Sequence, residues 1–87
     1  MVSLAQRKVL AKKGLVLDVD NLKWPIQDIT RAKAAKVYSA KLYKQHMISK
    51  AEYAKIQHAA NAAIKIYKSG GSQADVARYI DRYNLYV

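Results

Sequence analysis

No cysteine occurs in this chain, which removes disulfide staples, thiolate nucleophiles and thiolate metal ligands together. The two histidines, His46 and His58, are left without thiol partners for a structural zinc. Phenylalanine is absent as well, so aromatic chemistry falls to seven tyrosines and Trp24. No apolar run approaches the roughly eighteen residues that would cross a bilayer. The first residues do not follow the basic, apolar and small-residue order of a secretory leader, so a reducing, cytoplasmic setting is expected. Gly70-Gly71 lacks the spacing and the following Lys of a loop that cradles phosphate.

Catalytic groups are equally scarce. Serine occurs only at 3, 39, 49, 69 and 72, and three of these read as helix caps. Asp18 and Asp20 form a period-two pair, but two carboxylates on an extended segment ordinarily face water rather than hold a metal ion. No catalytic residues, no metal and no cofactor are expected, and the chain reads as a binding protein rather than an enzyme.

Acidic residues are few: six Asp and Glu stand against sixteen Lys and Arg, for a net charge of +10. A field of that size attracts polyanions, namely nucleic acid, an anionic membrane surface or an acidic protein. The same charge also serves plain solubility. The hydrophobic fraction of 52% is too high for a disordered basic tail. The 87 residues are expected to form one helical domain over 1–87. A chain of this size buries only roughly 60–65% of its unfolded surface, so its core is thin.

Three helix starts carry capping-box chemistry, a hydroxyl followed three positions later by a group able to return a hydrogen bond. Ser49 with Glu52 and Ser3 with Gln6 are full matches, and Ser72 with Asp75 is the weaker one. The first helix is predicted from Leu4 to about Lys13, where Gly14 supplies a left-handed stop. Leu15 to Asp20 alternates in the manner of extended chain. With no second strand-like run to pair it, the stretch 15–24 reads as an extended connector. Pro25 suits the first turn of a helix, and Trp24 is large enough to plug one end of the core.

The second helix is predicted from about Ile26 to His46. At 100° per residue Lys33, Lys36, Lys41 and Lys44 share an arc of roughly 140°, opposite Ala35, Tyr38 and Leu42. A third helix from Lys50 to about Lys68 has a broad apolar side of Tyr53, Ile56, Ala59, Ala60, Ala63, Ile64 and Tyr67. The short link between them makes the pair antiparallel. Gly70 and Gly71 end the third helix, and a fourth runs from Gln73 to about Tyr83. The expected fold is therefore all-α: a small bundle of three to four helices around a central antiparallel helical hairpin.

The segment Leu42 to Ile56, with the core His46-Met47-Ile48-Ser49-Lys50-Ala51-Glu52-Tyr53, resembles the short helical hairpin called the SHOCT domain. That family often reads apolar-Gly-Ile-Ile-Thr followed by acids and an aromatic. Here His46 stands at the usual Gly, and Lys50 and Ala51 stand at the usual acids. The resemblance implies a helical hairpin and, with it, homo-oligomerisation.

Charge, helicity and the lack of catalytic groups point first to nucleic acid, DNA or RNA, held through phosphates. Lys33, Lys36, Lys41 and Lys44 are the leading candidates, with Lys50, Lys65, Lys68, Arg78 and Arg82 as further ones. The alternative is a small interaction protein, an inhibitor or assembly factor, docking its basic surface on an acidic protein. A weaker pattern makes the last two helices a helix-turn-helix with Gln73 and Arg78 reading bases. Tyr43 and Tyr86 are the tyrosines expected to be free for base stacking, while Tyr38, Tyr53 and Tyr67 are expected in the core.

Overall fold

The computed structural model describes residues 2–87. Its elements in chain order are α1 (Leu4–Lys12), β1 (Val16–Asp18), β2 (Lys23–Pro25), α2 (Ile29–Lys44), α3 (Lys50–Lys68) and α4 (Gln73–Arg82). The molecule is mostly helical, with one small antiparallel sheet.

Each helix start is held by a side-chain oxygen that accepts an otherwise unpaired backbone N–H. Ser3 accepts from Gln6, Asp28 from Arg31, Ser49 from Glu52 and Ser72 from Asp75. The reciprocal bond that completes a capping box is present at Ser3–Gln6 and at Ser72–Asp75. At Ser49 only the serine's half is made, so the pairs expected to be strong and weak are partly reversed. Asp75, though shorter than Glu, also accepts the Ser72 hydroxyl at 3.1 Å.

The helix ends are just as uniform. Gly14, His46, Gly70 and Asn84 all take positive φ, between 52° and 83°. In each case the next residue's amide reaches back five positions: Leu15 to Leu10, Met47 to Leu42, Gly71 to Ile66 and Leu85 to Ile80. This is the Schellman stop, which satisfies carbonyls that the helix itself leaves open. Gly14 and Gly70 adopt the conformation freely, whereas His46 holds it at φ 59° against the clash of its own Cβ.

The connector is where expectation and structure part. Val16–Asp18 pairs antiparallel with Lys23–Pro25, Val16 opposite Pro25 and Asp18 opposite Lys23. The Asp18 carboxylate closes the turn by accepting the Asn21 amide at 3.1 Å and its side-chain Nδ2 at 3.0 Å. Lys-Trp-Pro carries no alternation, and Trp24 sits at φ 65°, so β2 has no strand signature. Pro25 therefore ends a strand rather than opening a helix, and Asp28 sets the start of α2 three residues beyond Ile26. The C-terminal tail packs along the same hairpin. The Val87 amide donates to the Leu17 carbonyl at 2.9 Å, and Leu85 is buried.

The α2 and α3 helices share the largest interface. Tyr43 stacks on Tyr53 near the link, while Gln57 reaches Lys36 and Ser39 further along, which fixes their directions as opposed. The surfaces they bury are small: Ala32, Ala35 and Ser39 on α2, with Ala59, Ala60 and Ala63 beside Ile56 on α3. Ser39 is the one buried polar side chain among the described residues. Its hydroxyl donates to the Lys36 carbonyl at 3.1 Å and accepts from Gln57 at 2.9 Å, so its burial leaves nothing unpaired. Leu15, Leu17, Ile26, Ile56, Val76 and Ile80 complete a single core drawn from the hairpin, α3 and α4.

Tyr67 ties these parts together by donating to the Ile26 carbonyl at 2.8 Å. Burial, with the Asp28 charge nearby, pushes its phenol up to about 12. The fold thus favours the protonated phenol. Its contribution is whole below the ordinary tyrosine value near 10 and is lost as pH rises through about 12. Tyr67→Phe should cost about 0.5–1.5 kcal/mol at neutral pH and flatten the alkaline limb of stability in denaturant titrations. An unchanged limb would show that another group controls it. His46→Gly should act in the opposite direction, raising stability by about 0.5–1 kcal/mol and the melting temperature by roughly 2–8 °C. A fall in melting temperature would mean that the imidazole makes a stabilising contact.

Candidate nucleic-acid interface

Because α2 buries only Ala32, Ala35 and Ser39, its opposite face is left to solvent. Lys33, Lys41 and Lys44 are exposed there, with Lys36 half-buried at the margin. Val37 lies among them and is 73% exposed. Lys41 and Lys44 also occupy the last turn, where the helix dipole favours positive charge. The four lysines singled out by spacing thus share one helix, and three of them are exposed.

The other candidates do not join them in a single patch. Lys50 opens α3 just across the link from Lys44, while Lys65 and Lys68 lie in the last turn of α3, toward the start of α2. Arg78 and Arg82 stand on α4, which packs on α3. Arg78 is paired with Asp75, and the Arg82 guanidinium lies 5.8 Å from the Tyr83 ring centroid. The Asp75 carboxyl is held below its ordinary value first by the Ser72 backbone and hydroxyl hydrogen bonds, then by Arg78. Gln73 donates to the Gln27 carbonyl at 2.9 Å. Both groups assigned to a helix-turn-helix reading thus make contacts within the chain.

Among the described residues Arg78–Asp75 is the one ion pair. The remaining cations have no carboxylate within 4.0 Å. No three His, Asp or Glu side chains gather as a metal set among the described residues. Asp18 is engaged with Asn21, and His58 meets the Tyr79 hydroxyl at 3.0 Å.

Tyr67 packs against the core as expected, whereas Tyr43, Tyr86 and Tyr38 depart from expectation. Tyr43 is stacked on Tyr53 with centroids 4.5 Å apart, and Tyr86 donates to the Gly14 carbonyl at 3.1 Å, so neither is a free ring. Tyr38, expected in the core, is 54% exposed. It leans on Trp24, ring centroids 5.7 Å apart and planes at 57°. At 100° per residue it lies about 60° around α2 from Lys41, so it borders the lysine face.

Tyr38 and Trp24 line an open groove of about 520 Å³ between α1, β2 and α2, with Met47 at one end. Arg7, Lys23 and Arg31 line it as well, and no acid does. The Arg7 guanidinium donates from Nη1 to the Leu22 carbonyl at 3.5 Å, and its Nε is buried without an acceptor among the described residues. Trp24 holds a left-handed backbone rare for so bulky a residue, and such strain is concentrated at functional positions. None of Arg7, Lys23 and Arg31 stood out in the sequence, because β2, beside which they meet, carries no strand pattern.

The chain matches no known protein family, no curated protein and no solved structure. No helix among the described residues is long and apolar enough to cross a membrane.

Proposed function

We propose that this chain is a nonenzymatic nucleic-acid-binding protein that grips phosphates with the lysine face of α2. Lys33, Lys36, Lys41 and Lys44 are the principal contacts. Lys50 at one end of the helical pair and Lys65 and Lys68 at the other are separate, supplementary contacts. The observation that carries this reading is one face of α2 on which Lys33, Lys41 and Lys44 stand exposed with no carboxylate within 4.0 Å. Lysines paired internally would first have to break those contacts. Unpaired ones displace counterions from a phosphate backbone directly, and that release drives binding. Arg78 contributes least, being neutralised by Asp75, and Arg82 on α4 is peripheral. A cytoplasmic setting belongs to the same proposal.

Base identity has little part in this scheme, since phosphate contacts position a protein on nucleic acid without reading sequence. If four lysines carry the neutralisation, log affinity for duplex DNA should fall against log salt with a slope of about −3.6. Changing Lys33, Lys36, Lys41 and Lys44 together to Gln should flatten that slope and weaken binding at low salt, measured by anisotropy of a labelled duplex. A slope near zero for the unaltered protein, or no binding at moderate salt, would overturn the proposal and leave an acidic protein as the partner.

A further inference from the structure

We infer that the groove between α1, β2 and α2 is a stacking site for an unpaired nucleobase, with the flanking phosphates held by Arg7, Lys23 and Arg31. The inference rests on the phosphate-binding reading of α2 and assigns it a substrate class, single-stranded nucleic acid.

The first ground is the shape and lining of the groove. Its volume of about 520 Å³ lies within the range of small-molecule sites. Tyr38 offers an exposed ring against Trp24. A tyrosine face stacks on any base, whatever its sequence. The three cations have no acid beside them in the groove. Two are arginines, whose planar forks match phosphate oxygens.

Continuity is the second ground. Tyr38 lies about 60° around α2 from Lys41, so a strand whose base enters the groove passes its backbone to Lys41, at the edge of the lysine face. Duplex DNA keeps its bases stacked inside and reaches only the lysines.

An acidic peptide is the competing occupant, and the hairpin disfavours it. Extended peptides gain affinity by adding a strand to a free sheet edge. Here β2 ends in Pro25, which has no N–H to give, and Trp24 departs from strand geometry. The Leu17 carbonyl of β1 is already taken by Val87. A peptide would have side-chain contacts alone, whereas a base needs only the ring and the cations.

Trp24 is the chain's one tryptophan, so its fluorescence reports on the groove. The test titrates the full chain with a labelled single-stranded oligonucleotide, the same oligonucleotide made abasic, the corresponding duplex and an acidic tyrosine-containing peptide. The base-bearing single strand should quench Trp24 and the abasic strand should not. Tyr38→Ala should weaken single-strand binding by about 5- to 150-fold while leaving duplex affinity and its salt slope unchanged. Tyr38→Phe should bind as the unaltered protein does. Tyr38 is exposed enough for both variants to fold, which far-ultraviolet circular dichroism verifies. Unchanged single-strand binding by Tyr38→Ala, with loss of binding in the quadruple lysine variant, overturns the groove and leaves the α2 reading intact. Failure of every nucleic acid to bind overturns both. Quenching by the peptide alone assigns the groove to a protein partner and overturns the inference.

Discussion

Left-handed residues after α1, α2, α3 and α4 turn the chain sharply enough for the next amide to reach back five positions, and the packing of this small protein depends on those four stops. Helices of nine to nineteen residues are marginal or unstable alone in water. Their lengths must be set locally before a thin core can accept them. Side-chain caps at Ser3, Asp28, Ser49 and Ser72 close the other ends. With no disulfide available, these closures and the burial of Leu15, Leu17, Ile26, Ile56, Val76 and Ile80 carry the fold.

The charge distribution follows from how little α2 buries. Ala32, Ala35 and Ser39 are enough to seat it on α3, because small residues on both partners need no deep interlock. The face opposite these residues is open for lysines. Dense positive charge on one helix repels itself, yet exposure keeps that cost low, since like-charge pairs three or four residues apart on a solvated helix cost only about 0.2–0.5 kcal/mol each. A face arranged this way is tolerated by the fold and available to a polyanion.

Much of the fold was legible because it is written in short-range chemistry. Ser49 and Lys68 bound α3 as their types suggest, and Gly14 and Gly70 end helices where a left-handed residue is needed. Other ends were less visible. His46 and Asn84 do the work of glycine, and a histidine or asparagine signals positive φ far less strongly than a glycine does. Asp28 caps α2 three residues beyond the position that Pro25 suggested. The lysine arc was legible for the same reason as the helices, since it depends only on 100° steps along one element. Tyr38 was misjudged because its angle on α2 placed it with Ala35 and Leu42, while its exposure was decided by the groove it borders.

The amino-acid sequence by itself determined the helical character, the positions of most caps and stops, the excess of positive charge and the face of α2 that carries it. These are local properties, set by side chains within one or two turns of each other. Only the tertiary structure decided that Lys23–Pro25 would pair with Val16–Asp18, that the tail would pack beside Leu17, and that Arg7, Lys23 and Arg31 would meet around Trp24 and Tyr38. Those outcomes depend on burial between segments distant in the chain. A three-residue strand with a left-handed Trp24 has no periodicity of its own to reveal it.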